Sequence, residues 1–187
     1  ANPKPGYRTA SLLDDRTHYN VVGVSSPEYP APWNLDCNYT ALTHNCTNTN
    51  FGIALIHWGV KTLIEIIAKH SIQDPLEAKY KDILKRLHPL SHDATGYMVD
   101  WVHPLDMPHR HWSHLLAIYD LEIVPMDELA ARSFDRWAGM TCNDTGIPCP
   151  THCRGFTRGI VGIMSAMLGR GEAAAGNLSK LVDKVKG

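Results

Sequence analysis

The sequence predicts an all-α protein made of antiparallel helical hairpins that follow an extended N-terminal arm. Apolar residues recur at helical spacing in six segments after Asn50. The segments form three pairs, with short turns within a pair and longer loops between pairs. Five of the twelve prolines lie in the first 36 residues, where no helical periodicity occurs. We therefore expect a single domain, residues 1–187, in which residues 1–48 form the arm and a loop and residues 49–187 form three hairpins.

The arm contains two short runs with strand-like patterning, Tyr7–Leu13 and Tyr19–Val24. A polar loop follows, and it is bracketed by Cys37 and Cys46 and carries the N-glycosylation sequons at Asn38 and Asn45. This combination predicts a surface loop that is closed by a disulfide and bears glycans.

The helices are predicted from apolar spacing and from the residues that cap them. The first begins with Asn50 as its cap and ends at Ser71, and the second runs from Asp74-Pro75 to Leu87. The remaining four helices are predicted over Trp112–Asp120, Pro125–Gly139, Phe156–Leu168 and Glu172–Lys186, with Gly169-Arg170-Gly171 as the turn of the last pair.

The helices also differ in how their apolar residues are distributed. The first and fifth are apolar nearly all round, as in FGIALIHWGVKTLIEIIA and GFTRGIVGIMSAML, whereas their partners are amphipathic. An inner helix covered by an outer one produces this contrast. Three such pairs form an arc with an open side, so the chain is expected to be half of a closed ring. It would need the rest of a longer polypeptide or other copies of itself.

Composition narrows the class of function. The formal net charge is −1 with histidine neutral, so no basic surface for nucleic acid is predicted. Apolar runs fall short of the ~18 residues that a membrane span requires. The four sequons, at Asn38, Asn45, Asn143 and Asn177, exceed the number expected by chance and predict a secreted or extracellular glycoprotein.

The five cysteines fit an oxidising compartment. They form two local groups, Cys37 with Cys46 and Cys142 with Cys149 and Cys153, so local disulfides are expected with one cysteine left over. The alternative is a zinc site formed by Cys149, His152 and Cys153. It lacks a second ligand pair at zinc-finger spacing, so no metal and no cofactor is predicted.

The densest group of polar and aromatic side chains lies at 101–119, WVHPLDMPHRHWSHLLAIY. His109, Arg110 and His111 are expected at a helix start, where they can hydrogen-bond sugar hydroxyls while Trp101 or Trp112 stacks on a sugar face. Other interpretations apply to some of these residues and to the first helix. His114 is expected to be a buried core histidine, and His57 and Trp58 in the first helix are also expected to pack in the core. A metal cluster of His109, His111 and His114 has no supporting carboxylate at helical spacing.

Five segments resemble, in order, the (α/α)6-barrel core of glycoside hydrolase family 95, which includes α-L-fucosidases. They are Ser26-Pro27-Glu28-Tyr29, the helix at Thr49–Ala68, Thr95-Gly96-Tyr97, His109-Arg110-His111-Trp112-Ser113-His114-Leu115 and Gly155-Phe156-Thr157. The resemblance covers about residues 10 to 185. It implies a toroid of helical hairpins whose pocket binds a terminal sugar, and an inverting cleavage with Glu28 as the general acid.

The chain also departs from the family pattern. The family's water-activating aspartate, in a Gly-Asn-flanked motif, and its paired asparagines have no counterpart in this sequence. Asp100 and Asp106 are the only nearby carboxylates that we can nominate for an inverting pair. Two hypotheses follow: a segment of a secreted exo-glycosidase that acts on the terminal sugars of glycans, or a non-catalytic extracellular glycoprotein used for carbohydrate binding or structural assembly.

Overall fold

The computed structural model describes residues 17–21, 48–106, 108–142 and 155–183. This part of the chain is mostly helical, which confirms the all-α prediction. Its elements in chain order are α1 (Asn50–Lys69), α2 (Glu77–Arg86), a small antiparallel hairpin of β1 (His92–Asp93) and β2 (Gly96–Tyr97), a 3₁₀ turn (Ser113–Leu115), α3 (Glu128–Cys142), α4 (Gly155–Met167) and α5 (Gly171–Asp183). Most of the predicted arm and its Cys37–Cys46 loop lie outside the described residues.

Helix α1 is capped by Thr49 and not, as predicted, by Asn50. The Thr49 hydroxyl accepts a hydrogen bond from the Gly52 N–H at 3.1 Å. Asn50 is the first helical residue, and its buried side chain bonds instead to Ser91 and Met98 in the segment around the β-hairpin. The start of α1 is therefore fixed to a part of the chain that follows α2.

Two of the predicted helix pairs are present as hairpins, α1 with α2 and α4 with α5. The second hairpin turns at Gly169, whose φ of 71° favours glycine. Arg170 in this turn forms an ion pair with Asp135 of α3, and so connects the hairpin to the preceding helix.

The predicted helix over Trp112–Asp120 is wrong. The structure has a 3₁₀ turn of three residues there, followed by turns. Asp120 and Glu122 adopt positive φ values of 78° and 49°, and the chain folds back so that the Ile123 N–H reaches the Ala117 carbonyl. The apolar residues of this segment nevertheless point into the core, as their spacing had predicted.

The main core lies between this folded-back segment, α3 and α4. Its fully buried members include Leu115, Ile118, Trp137 and Met164. A smaller cluster of Val21, Ile53 and Leu87 packs residues 17–21 against α1 and the end of α2. Tyr19 continues this contact, because it pairs in parallel with Leu87 and donates its N–H to the Arg86 carbonyl.

Helix α1 is covered on only part of its surface. It packs against α2 and the 3₁₀ turn, while Leu55, Trp58 and Ile66 are 39%, 45% and 44% exposed. The prediction of core packing for Trp58 is therefore wrong in this structure, since its neighbours cover another side of the helix. Within the described residues, α1 is also the one helix long and apolar enough to cross a membrane by length and composition. An inner helix of a barrel can be equally apolar, so composition alone does not distinguish it from a membrane span. The expected absence of a membrane span therefore stays a prediction.

Candidate functional site

His109 is held in place by α3. Its carbonyl oxygen accepts hydrogen bonds from Trp137 Nε1 at 2.8 Å and from Thr141 Oγ1 at 3.0 Å. Its ring nitrogen Nδ1 accepts the backbone N–H of His111 at 3.1 Å, and the residue is 4% exposed. These contacts fix the backbone from which Arg110 and His111 project.

Arg110 and His111 form a pair at the surface of this loop. Arg110 Nε donates to His111 Nε2 at 3.0 Å, which places the proton of a neutral His111 ring on Nδ1. The carbonyl of Arg110 accepts from Thr157 Oγ1 at 3.2 Å, and the His111 ring lies 5.7 Å from that of Phe156. Both side chains thus stand on a backbone that α3 and α4 hold, and a guanidinium and an imidazole in this position can bind hydroxyl groups.

Trp112 belongs to the core. It is 9% exposed, lies 6.2 Å from Trp137 between ring centroids, and donates its indole N–H to Asp120 at 2.8 Å. Phe156 lies 4.9 Å from Trp112 on its outer side and is 58% exposed. Phe156 is therefore the aromatic ring that faces solvent beside Arg110 and His111. The sequence contained a signal for this residue, the Gly155-Phe156-Thr157 motif, but no site role had been predicted for it.

Trp101 lies in a different group of contacts. Its ring meets that of His88 edge to face, with 3.8 Å between centroids, and it lines a cavity beside β1. The five residues predicted to contact sugar thus fall into two groups: Trp101 beside the β-hairpin, and His109, Arg110, His111 and Trp112 between α3 and α4. Their roles in sugar contact stay predictions.

Asp100 carries a buried carboxylate that is fully engaged. Oδ1 accepts the backbone N–H groups of Val102 and His103 at 2.8 and 2.7 Å, and the His103 ring Nδ1 lies 2.8 Å from Oδ2. The side chain is 3% exposed. This carboxylate stabilises a tight loop and orients His103, which leaves it poorly suited to activate water. Asp106, the other nominated carboxylate, is exposed.

His114 is buried in the core, as predicted, and is 2% exposed. Neither ring nitrogen has a hydrogen-bond partner within the described residues. Burial, together with smaller contributions from the neighbouring positive charges of His109 and Arg136, lowers the pKa of His114 to about 3. The ring is therefore neutral at physiological pH. No group of three metal-binding side chains occurs among the residues that the structure describes.

Several predicted residues lie outside the described residues, namely Glu28, Asn38, Asn45, Asn143, Cys37, Cys46, Cys149 and Cys153. Cys142, the last residue of α3, is disulfide-bonded. Asn177 lies within α5, where its amide nitrogen donates to the Ala173 carbonyl at 2.9 Å and its oxygen accepts from Arg158 at 3.4 Å. Cysteine pairing and glycan attachment stay predictions.

Paired antiparallel helices, with a loop that presents polar and aromatic side chains, define an all-α protein built from helical hairpins. A family model described as the glycosyl hydrolase family 95 catalytic domain matches residues 7–187. The chain belongs to this family, whose catalytic domain is an (α/α)6 barrel, and the predicted resemblance is confirmed. No curated protein and no solved structure is significantly similar to the chain.

Proposed function

We propose that the protein is a secreted glycosidase domain that removes terminal sugars from glycans with inversion, in the manner of α-L-fucosidases. The family match over residues 7–187 supports a glycoside-hydrolase-like function and is the observation that carries the proposal. The Arg110–His111 pair adds a fixed set of polar groups beside the exposed ring of Phe156, which is the combination that sugar pockets use.

In this mechanism Glu28 is the general acid. A carboxyl group kept protonated near neutral pH donates its proton to the departing glycosidic oxygen, while a water attacks the opposite face of the sugar ring. The water gives its proton to a second carboxylate, which inverting enzymes hold about 6.5–9.5 Å from the acid. Asp100 does not suit this second role, because its oxygens already accept hydrogen bonds from its own loop.

The exposed apolar residues of α1 support a further part of the proposal. An (α/α)6 barrel contains six helix pairs, whereas the described residues hold two pairs and α3. We infer that the uncovered side of α1 packs against more of the barrel, which a longer polypeptide or other copies of the chain would supply. The sequons support an extracellular location for this assembly.

The second candidate is a non-catalytic extracellular glycoprotein subunit that binds carbohydrate or builds a larger structure. The engaged state of Asp100 favours it, since this removes one of the two carboxylates nominated as a base. In that case the protein would bind sugar through these groups without hydrolysing it.

Turnover of aryl glycosides distinguishes the two. The purified assembly would be incubated with 4-nitrophenyl α-L-fucoside and with α- and β-galactosides, and the anomer released would be followed by NMR. Inverted product that disappears in Glu28→Gln, and persists in the exposed control Glu65→Gln, supports the enzyme. Absence of turnover in a folded assembly that still binds sugar supports the subunit.

A further inference from the structure

A cavity of about 230 Å³ opens beside the β-hairpin, away from the Arg110–His111 pair. It is lined by Pro89, Leu90, Ser91, His92, Met98 and Trp101. Its volume equals that of roughly seven to eight waters at ~30 Å³ each. This is below the ~300–1,000 Å³ typical of pockets for drug-sized ligands. The cavity therefore has room for about one small ring.

The walls of the cavity are held by Asn50 at the start of α1. Its Nδ2 donates to the carbonyls of Ser91 and Met98, both at 2.8 Å, and its Oδ1 accepts the Ser91 N–H at 2.8 Å. The Met98 N–H also donates to the Ser91 carbonyl at 2.9 Å. Two sides of the cavity are thus joined through one buried side chain, so its shape is set before a ligand enters.

The ring of Trp101 is also fixed in advance. His88, which is 5% exposed, packs edge-on against it, and the His18 ring lies 5.0 Å beyond His88. His18 is held close because Tyr19 donates its N–H to the Arg86 carbonyl. A tryptophan positioned in this way offers a flat apolar surface with little loss of side-chain entropy on binding.

Two polar side chains complete the lining. The Ser91 hydroxyl makes no hydrogen bond within the described residues, although both backbone groups of Ser91 are engaged. His92 is exposed, and its ring lies edge to face with that of Tyr97, 6.4 Å between centroids. A lining that combines an indole ring with a hydroxyl and an imidazole suits a ligand with one apolar face and a rim of hydroxyls.

We propose that this cavity is a binding site for one pyranose ring, separate from the Arg110–His111 pair. The sugar stacks its apolar face on Trp101, and its hydroxyls exchange hydrogen bonds with His92 and Ser91. The choice of a sugar as the ligand rests on the proposed carbohydrate function. Occupation of the cavity requires no chemical step, so it can be tested without turnover.

The test follows the indole N–H signals of the five tryptophans in ¹⁵N NMR spectra of the full chain. Methyl α-L-fucopyranoside and methyl β-D-galactopyranoside are titrated, with glycerol as the polyol control. We expect the Trp101 signal to shift with one of the sugars and not with glycerol. Trp101→Ala should weaken binding by about tenfold or more, and Trp101→Phe should restore part of the affinity.

Matched variants separate this cavity from the other site. Trp58→Ala, on the exposed side of α1, and Arg110→Ala should leave the affinity of the cavity unchanged. The double variant Ser91→Ala/His92→Ala should weaken the binding of sugar in the cavity. It serves as the test if Trp101→Ala does not fold. Absence of binding, or binding lost in Arg110→Ala but kept in Trp101→Ala, overturns the inference. Neither result bears on aryl-glycoside turnover, which tests the proposed function by itself.

Discussion

At the scale of single residues, Asn50 determines how the start of α1 meets the β-hairpin. Its side chain is buried and satisfies three backbone groups, two on Ser91 and one on Met98. Asn50→Ala removes the hydrogen-bond partner of these three groups and leaves a void at the buried start of α1. We expect a loss of about 2 kcal/mol in the free energy of unfolding, measured by urea denaturation.

The control for this variant is Gln73→Ala, at an exposed position in the turn after α1, which should change stability by less than about 0.5 kcal/mol. Equal stability of Asn50→Ala and the parent protein would show that the hydrogen bonds of the Asn50 side chain contribute nothing to folding. Sugar binding in the cavity should weaken in the same variant, since its walls lose their connection.

His114 makes stability depend on pH. Its pKa is lowered to about 3 in the folded protein, whereas an unfolded histidine titrates near ~6.5. The unfolded state therefore binds more protons between these values, so this contribution to stability is complete above ~6.5 and is lost as the pH falls toward 3. We expect about 2 kcal/mol to be lost between pH 7.5 and pH 5 through this residue.

Urea denaturation at both pH values checks this expectation. His114→Leu removes the titrating group from an apolar site, so its stability should change with pH by about 2 kcal/mol less than that of the parent protein. His70→Leu, at an exposed position after α1, is the control and should keep the parent dependence. Parallel pH profiles for the parent and His114→Leu would refute the assignment.

At the scale of elements, Gly96 sets how closely β2 approaches α3. Its φ is 133°, and an added Cβ would lie 2.6 Å from Ser133 Oγ and 2.7 Å from Ser133 Cα. The same serine accepts the Tyr97 N–H at 2.8 Å and donates to Leu129. Gly96→Ala should therefore lower the free energy of unfolding by at least about 2 kcal/mol, from strain and overpacking together.

Gly139 provides the matched control within α3. A Cβ added there meets nothing within 4 Å, and the residue lies inside the helix. Gly139→Ala should raise stability by about 0.5–1 kcal/mol, because alanine favours the helix. Thermal unfolding followed by circular dichroism measures both variants. A stable Gly96→Ala protein would mean that β2 does not rest on α3 as the structure shows.

The elements also show what the sequence can predict and what it cannot. Apolar spacing located α1, α3, α4 and α5 because their apolar residues recur at helical spacing, and that pattern is local. It misassigned 112–120, since core-facing residues at the same spacing also fit a folded-back segment with Asp120 at positive φ. The role of Asn50 depends on residues 41 and 48 positions away, which no local pattern contains.

The candidate site was predicted less completely than the fold. Arg110 and His111 were predicted from the density of polar and aromatic residues around them, and their side chains are hydrogen-bonded to each other. Trp101 was grouped with them because it is near in sequence, but the loop held by Asp100 directs it toward His88. Separating the two groups required tertiary contacts, and so did placing Trp112 in the core.

At the scale of the whole molecule, the exposed apolar residues of α1 predict association. Leu55, Trp58 and Ile66 follow helical spacing along one side of α1 and are each more than a third exposed. Soluble monomers seldom expose several large apolar side chains along one side of a helix, because covering them with protein releases the water around them. We expect the isolated chain of residues 1–187 to self-associate with rising concentration.

Sedimentation velocity over a range of concentrations measures this association. Trp58→Gln combined with Ile66→Gln should shift the protein toward monomer while leaving its melting temperature close to that of the parent, since both side chains face solvent. The matched control is Ile72→Gln with Leu76→Gln, two exposed apolar residues in the turn after α1 and outside the helix itself, which should leave association unchanged. A parent chain that stays monomeric at every concentration would contradict the prediction, and so would equal effects of the two double variants.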